Sequence, residues 1–275
     1  MNCKKPRSGV EIVSPWDKDK FNIRYALFDF DGTISLIREG WQDIMIPYFC
    51  EILKETGTSE TDEEIKQTVR RFVTDLTGKQ TIFQCIRLNE ELEKRGGRQQ
   101  EPIVFKNEYL RRLDLRIKER KEALFSGTLE PEAWLVPGSK QFLGLLQSHG
   151  IKCYLASGTD EEDVLYEAKL LGLENAFEGG IHGAHEAMTE CSKELVIHSM
   201  LENEHIRPEE LVSFGDGYVE VELVAKLGGL AIGAATEEAK REGVNEWKRS
   251  RLIAAGAYAI IPDFRDTEAI YELIK

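Results

Sequence analysis

Two acidic residues two positions apart, Asp29 and Asp31, end a short apolar run and lead at once into Gly32 and Thr33. A second apolar run ends in Ser157-Gly158-Thr159, and another ends in Gly215-Asp216-Gly217 with Glu220 close behind. If these segments meet, their carboxylates repel one another strongly in a low dielectric unless a cation sits among them. Ligands made only of oxygen suit Mg²⁺, which keeps some of its waters and recruits a substrate phosphate to complete its octahedron. The net charge of −13 does not oppose an anionic small substrate, because a bound divalent cation inverts the local field.

Such residues need a scaffold that gathers the ends of several strands. The runs at 23–30, 151–156, 211–214, 230–232 and 258–261 are short and apolar, as buried parallel strands are. From residue 139 onward, helical stretches lie between them, at 139–149, 160–171, 192–203 and 218–227. Gly172 and the pair Gly228-Gly229 stop two of these. The alternation predicts an α/β fold, a parallel sheet with helices on both faces. Ligands of such sheets bind beyond the carboxyl ends of the strands, where the residues above fall. In a strand, positions i and i+2 share a face, so Asp29 and Asp31 could address one substrate.

Residues 36 to about 135 break the rhythm with helix after helix and no convincing strand. Trp41, Met45, Tyr48 and Ile52 form one helical stripe. Thr61-Asp62-Glu63-Glu64 is a capping box opening a helix with Ile65, Val69, Phe72, Val73 and Leu76 on one face. A further long helix is expected over 105–124. The organisation expected is a core of 1–35 and 136–275 carrying a helical insert of 36–135.

Asp29-Phe30-Asp31-Gly32-Thr33 resembles the first motif of the haloacid dehalogenase-like (HAD) superfamily. Residues 155–159 match its second motif, Lys193 is placed for the third, and 215–220 match the fourth. The insert is similar to the C1-type cap of phosphoglycolate phosphatases and β-phosphoglucomutases, and the resemblance spans residues 22–262. It implies a Rossmann-like core with an inserted α-helical cap domain. It also implies a Mg²⁺-dependent phosphatase hydrolysing a small phosphomonoester, a sugar phosphate or a phosphoglycolate-like metabolite.

In the roles the resemblance implies, Asp29 attacks phosphorus to form an aspartyl-phosphate, and Asp31 protonates the leaving alcohol and then activates water. The metal is held by Asp29, Asp216 and the backbone carbonyl of Asp31. Thr33, Ser157, Gly158 and Lys193 hold the phosphoryl group, and Lys193 also neutralises the nucleophile. Glu220 stands where many relatives carry Asp, which leaves open whether it touches the metal or only orients waters. Within Thr77-Gly78-Lys79-Gln80-Thr81, Lys79 and Gln80 are the candidate selectors of substrate, and Arg38 and Trp41 the candidate lining of the entrance. Asp31 argues against a haloacid dehalogenase, whose leaving group needs no proton. A phosphomutase uses the same pair of aspartates and stays as the alternative, with a non-catalytic module on this fold disfavoured.

Bland readings compete at several positions. A lysine in the first turn of a helix opposes the helix dipole, so Lys193 needs a reason beyond solvation. His182-Gly183-Ala184-His185-Glu186 superficially suggests zinc, but the glycine and the absent helical period point to a loop. Thirty-six basic against 49 acidic residues argue against nucleic acid as a partner. No apolar run reaches the roughly 18 residues of a membrane span, so no membrane partner is expected. The basic residues 1–8 lack an apolar stretch behind them, which argues against a cleaved signal. Five scattered cysteines without C-x-x-C read as reduced thiols, and the chain as cytoplasmic.

Overall fold

The structure is a computed structural model and describes residues 9–15, 17–185 and 192–275. Cys3, Cys191, Glu186 and the basic residues 1–8 lie outside the described residues.

Seven strands form one sheet: β1 (Glu11–Ile12), β2 (Tyr25–Phe28), β3 (Lys152–Asp160), β4 (Ile181–Ala184), β5 (Leu211–Gly215), β6 (Leu230–Ala234) and β7 (Ala259–Ile261). Their order is β1-β7-β6-β5-β2-β3-β4, with every pair parallel except β1 against β7. The pleat divides β2 between two cores. Ala26 and Phe28 pack with Phe142, Phe214 and Phe264, where Phe28 stacks on Phe214 with centroids 4.9 Å apart. Leu27 faces the opposite side, with Tyr154, Ile197 and Met200. The first face is covered by α5 (Ser139–Ser148), α6 (Glu161–Leu170) and α10 (Thr267–Ile274), the second by α7 (Ser192–Asn203) and α8 (Tyr218–Leu227). A third cluster joins α9 (Glu246–Ala254) to β6 and β7 through Leu252, Ala231 and Ile260. Burial of both faces explains why the central strands are continuously apolar.

The chain leaves this layer after Ser35 and returns at Leu135, and the two crossing segments are bonded to each other. Leu36 N donates to Trp134 O at 2.8 Å, and Val136 N to Ile34 O at 2.9 Å. Between them lie α1 (Gln42–Lys54), α2 (Asp62–Asp75), α3 (Thr81–Lys94) and α4 (Pro102–Phe125). Thr61 caps α2 in the expected box, its hydroxyl accepting from Glu64 N while its own N–H donates to Glu64 Oε2 at 2.8 Å.

Three expectations change. Residues 181–184 are not a loop but strand β4 beside β3, so His182 sits within a sheet ladder. His185 follows it, with Nε2 3.5 Å from Glu161 Oε2. The strand expected over 151–156 is longer, because β3 runs on through Ser157-Gly158-Thr159 to Asp160. The edge strand β1 carries no signal of its own and exists through pairing with β7. Among the described residues no helix is long and apolar enough to cross a membrane. Cys50, Cys85 and Cys153 are free and buried.

Candidate active site

The carboxyl ends of β2, β3 and β5 open into one cleft. Asp29, Asp31, Arg38, Ser157, Gly158, Thr159, Lys193 and Asp216 line its floor, while Trp41, Thr77, Gly78, Lys79, Thr81, Gln84 and Tyr109 face it from the helical insert. Asp29 continues the β2 ladder, its N–H donating to Phe214 O at 2.9 Å.

Lys193 stands in the first turn of α7 and is almost fully buried. Its Nζ lies 2.8 Å from Asp29 Oδ1 and 2.8 Å from Glu220 Oε2. Burial works against this ammonium, but the two carboxylates more than offset it and its pKa is raised. That is the reason the helix position required. Burial holds Asp29 well above the usual carboxylate range, opposed by Lys193 and reinforced by Glu220 and Asp216. Burial likewise raises Glu220. Glu220 thus reaches a lysine, and its length fits because Gly215 has no side chain: a Cβ there would lie 1.8 Å from Glu220 Oε1.

Asp31 is held differently. Thr159 Oγ1 donates to its Oδ2 at 2.7 Å, and Ser157 Oγ approaches the same oxygen at 3.5 Å. Its Oδ1 is buried without a hydrogen-bond partner among the described residues and lies 3.9 Å from Arg38 Nε. Burial raises its pKa, against the opposing pull of Arg38 and Thr159. Arg38 is itself committed elsewhere, to both oxygens of Glu167 at 3.1 Å and to Asp163 Oδ2 at 2.9 Å. Asp163 and Glu167 lie one turn apart on α6, so the arginine is anchored by the core helix behind the cleft.

The expected site residues do not all keep the expected contacts. Thr33, expected on the phosphate, is fully buried, and its hydroxyl accepts from Asp216 N at 2.9 Å, which ties two strand-end loops together. Gln80 is buried at the N-cap of α3 and outside the cleft lining. Lys79 does line the cleft, its Nζ 5.7 Å from the centroid of Phe83.

The loop's backbone does more than its side chains. A Cβ on Gly158 would lie 2.9 Å from Lys79 O, and one on Gly78 3.2 Å from Gly217 Cα. Glycines on both sides let insert and core approach backbone to backbone.

Two residues went unnoticed in the sequence. Lys248, in the first turn of α9, places Nζ 2.6 Å from Asp216 Oδ2 and 2.6 Å from Glu238 Oε1. A signal existed, since Lys248 follows the N-cap Asn245 and opposes the helix dipole just as Lys193 does. Glu238, in the loop after β6, gave none.

Residues 23–228 match the family profile of the haloacid dehalogenase-like hydrolases. The chain belongs to that family. Solved structures agree on the fold. A predicted phosphoglycolate phosphatase from Haemophilus somnus is 14% identical with a TM-score of 0.58, covering 90% of this chain and 98% of its own. A phosphonoacetaldehyde hydrolase-like protein from Oleispira antarctica is 16% identical with a TM-score of 0.57, covering 98% and 96%. CbbY from Rhodobacter sphaeroides in complex with phosphate is 18% identical with a TM-score of 0.53, covering 89% and 96%. No curated protein matches the sequence.

Proposed function

We propose that this protein is a Mg²⁺-dependent phosphatase that hydrolyses a small phosphomonoester through an aspartyl-phosphate on Asp29. One observation carries it: Asp29 is paired to a buried lysine in the same cleft as Asp31, whose Oδ1 has no hydrogen-bond partner among the described residues.

Both described contacts of the Asp29 carboxylate, from Lys193 Nζ and Phe30 N, fall on Oδ1. Attack is therefore assigned to Oδ2. As the Oδ2–phosphorus bond forms, the ester P–O bond breaks and Asp31 gives its proton to the leaving oxygen. Asp31, now a carboxylate, takes a proton from the water that attacks phosphorus, and the aspartyl P–O bond breaks to release phosphate. Lys193 offsets the charge on nucleophile and transferring group, with Ser157 and the backbone of Gly158 beside the phosphoryl oxygens. Glu220 holds Lys193 in place.

The residues fit Mg²⁺. Among the described residues no three His, Cys, Asp or Glu side chains form a metal cage. Mg²⁺ does not need one, since it binds through one or two carboxylates with waters and a substrate phosphate. Asp29 and Asp216 supply those carboxylates and the Asp31 backbone carbonyl a third oxygen. Gly32 allows the close approach, because a Cβ there would lie 2.4 Å from Asp216 Oδ2. Bound there, Mg²⁺ supplies the positive charge that lets an anionic phosphoryl group enter among carboxylates.

Residues 36–135 act as the cap over a core of 1–35 and 136–275, and Lys79 meets the part of the substrate beyond the phosphoryl group. A sugar phosphate or phosphoglycolate-like metabolite in the cytoplasm fits this assignment, and the free thiols of Cys50, Cys85 and Cys153 accord with that compartment.

The test is turnover of p-nitrophenyl phosphate and a panel of phosphorylated metabolites with Mg²⁺. Asp29→Asn should abolish it while the protein still folds, because an amide is no nucleophile. Retention of more than a few per cent, with deamidation excluded, overturns the assignment. A requirement for a sugar bisphosphate activator would turn the reading to a phosphomutase.

A further inference from the structure

Beside the Asp29–Lys193–Glu220 bridge stands a second carboxylate–ammonium–carboxylate bridge, Asp216–Lys248–Glu238, whose lysine and glutamate have no role in the hydrolysis above. Asn245 caps α9, its Oδ1 accepting from Lys248 N at 3.1 Å, and this sets the Lys248 side chain toward the end of β5. The helix dipole and burial both disfavour an ammonium there. Asp216 and Glu238, each 2.6 Å from Nζ, offset them.

The backbone of Gly32 fits against both acids. A Cβ on it would meet Asp216 Oδ2 at 2.4 Å and Glu238 Oε1 at 3.1 Å. The bridge therefore abuts the loop that carries Asp31. Glu238 also lines the cleft.

Two carboxylates that share one cation, one of them a candidate Mg²⁺ ligand, could without that cation face a second divalent ion. In two-metal phosphatase sites a pair of ions about 3.5–4 Å apart is held by shared carboxylates. Here the second position is filled by a side chain of the protein itself. Nζ carries one positive charge, cannot take a phosphate oxygen as an inner ligand, and occupies the second oxygen of Asp216.

We propose that Lys248 is a positioning residue that acts as a resident monovalent cation, closing Asp216 Oδ2 and Glu238 to a second divalent ion. The site is thereby restricted to one. This rests on the Mg²⁺-dependent reading above, with Asp216 serving as a ligand through its remaining oxygen.

The test is ion stoichiometry, followed with Mn²⁺ by calorimetry and by electron paramagnetic resonance of the free ion. The wild type is expected to bind one Mn²⁺ per chain and Lys248→Met two, because removing the ammonium leaves Asp216 and Glu238 facing each other unpaired. Lys248→Met combined with Glu238→Gln should return to one ion, and Lys248→Arg should stay at one. A Lys248→Met protein that binds one ion with wild-type affinity overturns the proposal and leaves the phosphatase reading standing. A wild type that binds no ion overturns the metal-dependent reading, and the proposal with it. Should Lys248→Met fold only with Mn²⁺ added, two ions bound per recovered chain support the proposal, and one ion or failure to recover counts against it.

Discussion

Lys106, in the long helix of the insert, places its Nζ 2.6 Å from Oδ1 of Asp160, the last residue of strand β3. The lysine is buried and the aspartate only partly so, and the pair spans the boundary between insert and core beside Ser157-Gly158-Thr159. This ion pair ties the long helix to the end of β3.

Lys106→Met should therefore loosen the closed arrangement. Asp160 can rehydrate, so the cost is about 1–2 kcal/mol rather than that of a fully buried pair. Hydrogen exchange of residues 77–81 should accelerate and KM should rise more than kcat falls. Exchange unchanged in that loop would mean that the pair does not govern closure.

The contact of loop 77–81 with the core separates closure from recognition. Gly158→Ala should press a Cβ against Lys79 O, which lies 2.9 Å from its ideal position, and lower kcat/KM for every phosphomonoester. Lys79→Ala should instead spare p-nitrophenyl phosphate, which offers little to grip, and depress the native substrate by a further 10–10³-fold or so, roughly 1.4–4 kcal/mol. Equal losses for both substrates in the Lys79 variant would make the loop a connector only.

Glu220 touches Lys193 at 2.8 Å, so its removal should act through that lysine. Glu220→Gln is expected to lower kcat by about 10–10²-fold, since the electrostatic group it orients is weakened. The Mg²⁺ concentration for half-maximal rate should hardly move. A large rise in that concentration with little loss of kcat would make Glu220 a metal ligand instead.

Burial keeps the Asp31 carboxyl protonated to higher pH than an ordinary aspartate, which suits an acid that must hold a proton before the first transfer. Its rate contribution should be lost as pH rises through the raised pKa, and Asp31→Asn should erase that limb of the profile. Stability follows the same sign. The folded state binds this proton more tightly than the unfolded chain, so Asp31 costs stability in full above its folded pKa, and the cost shrinks as pH falls through that pKa and vanishes only below the unfolded value. Melts of wild type and Asp31→Asn in chelator should accordingly converge as pH is lowered. A gap that widens toward acid would contradict the shift.

Where neighbours in sequence decide the outcome, the chain was legible by itself. Thr61 and Glu64 are three positions apart and complete their capping box within one turn, so α2 could be read from four letters. The burial of β2 on both faces is written in its unbroken apolar run, and the acidic and glycine residues that follow it mark the open end of a parallel sheet. Whatever depended on a distant partner was decided only in three dimensions. Strand β4 has a weak pattern, and pairing with β3 makes it a strand. The Thr33 hydroxyl faces Asp216 N because the two loops abut, although 183 positions separate them. Gln80 is polar yet buried, and Glu220 and Lys248 disclose their roles only when Lys193 and Asp216 stand beside them. A buried charge is tolerable only beside its counter-charge, and which counter-charge it meets is a property of packing rather than of spacing along the chain.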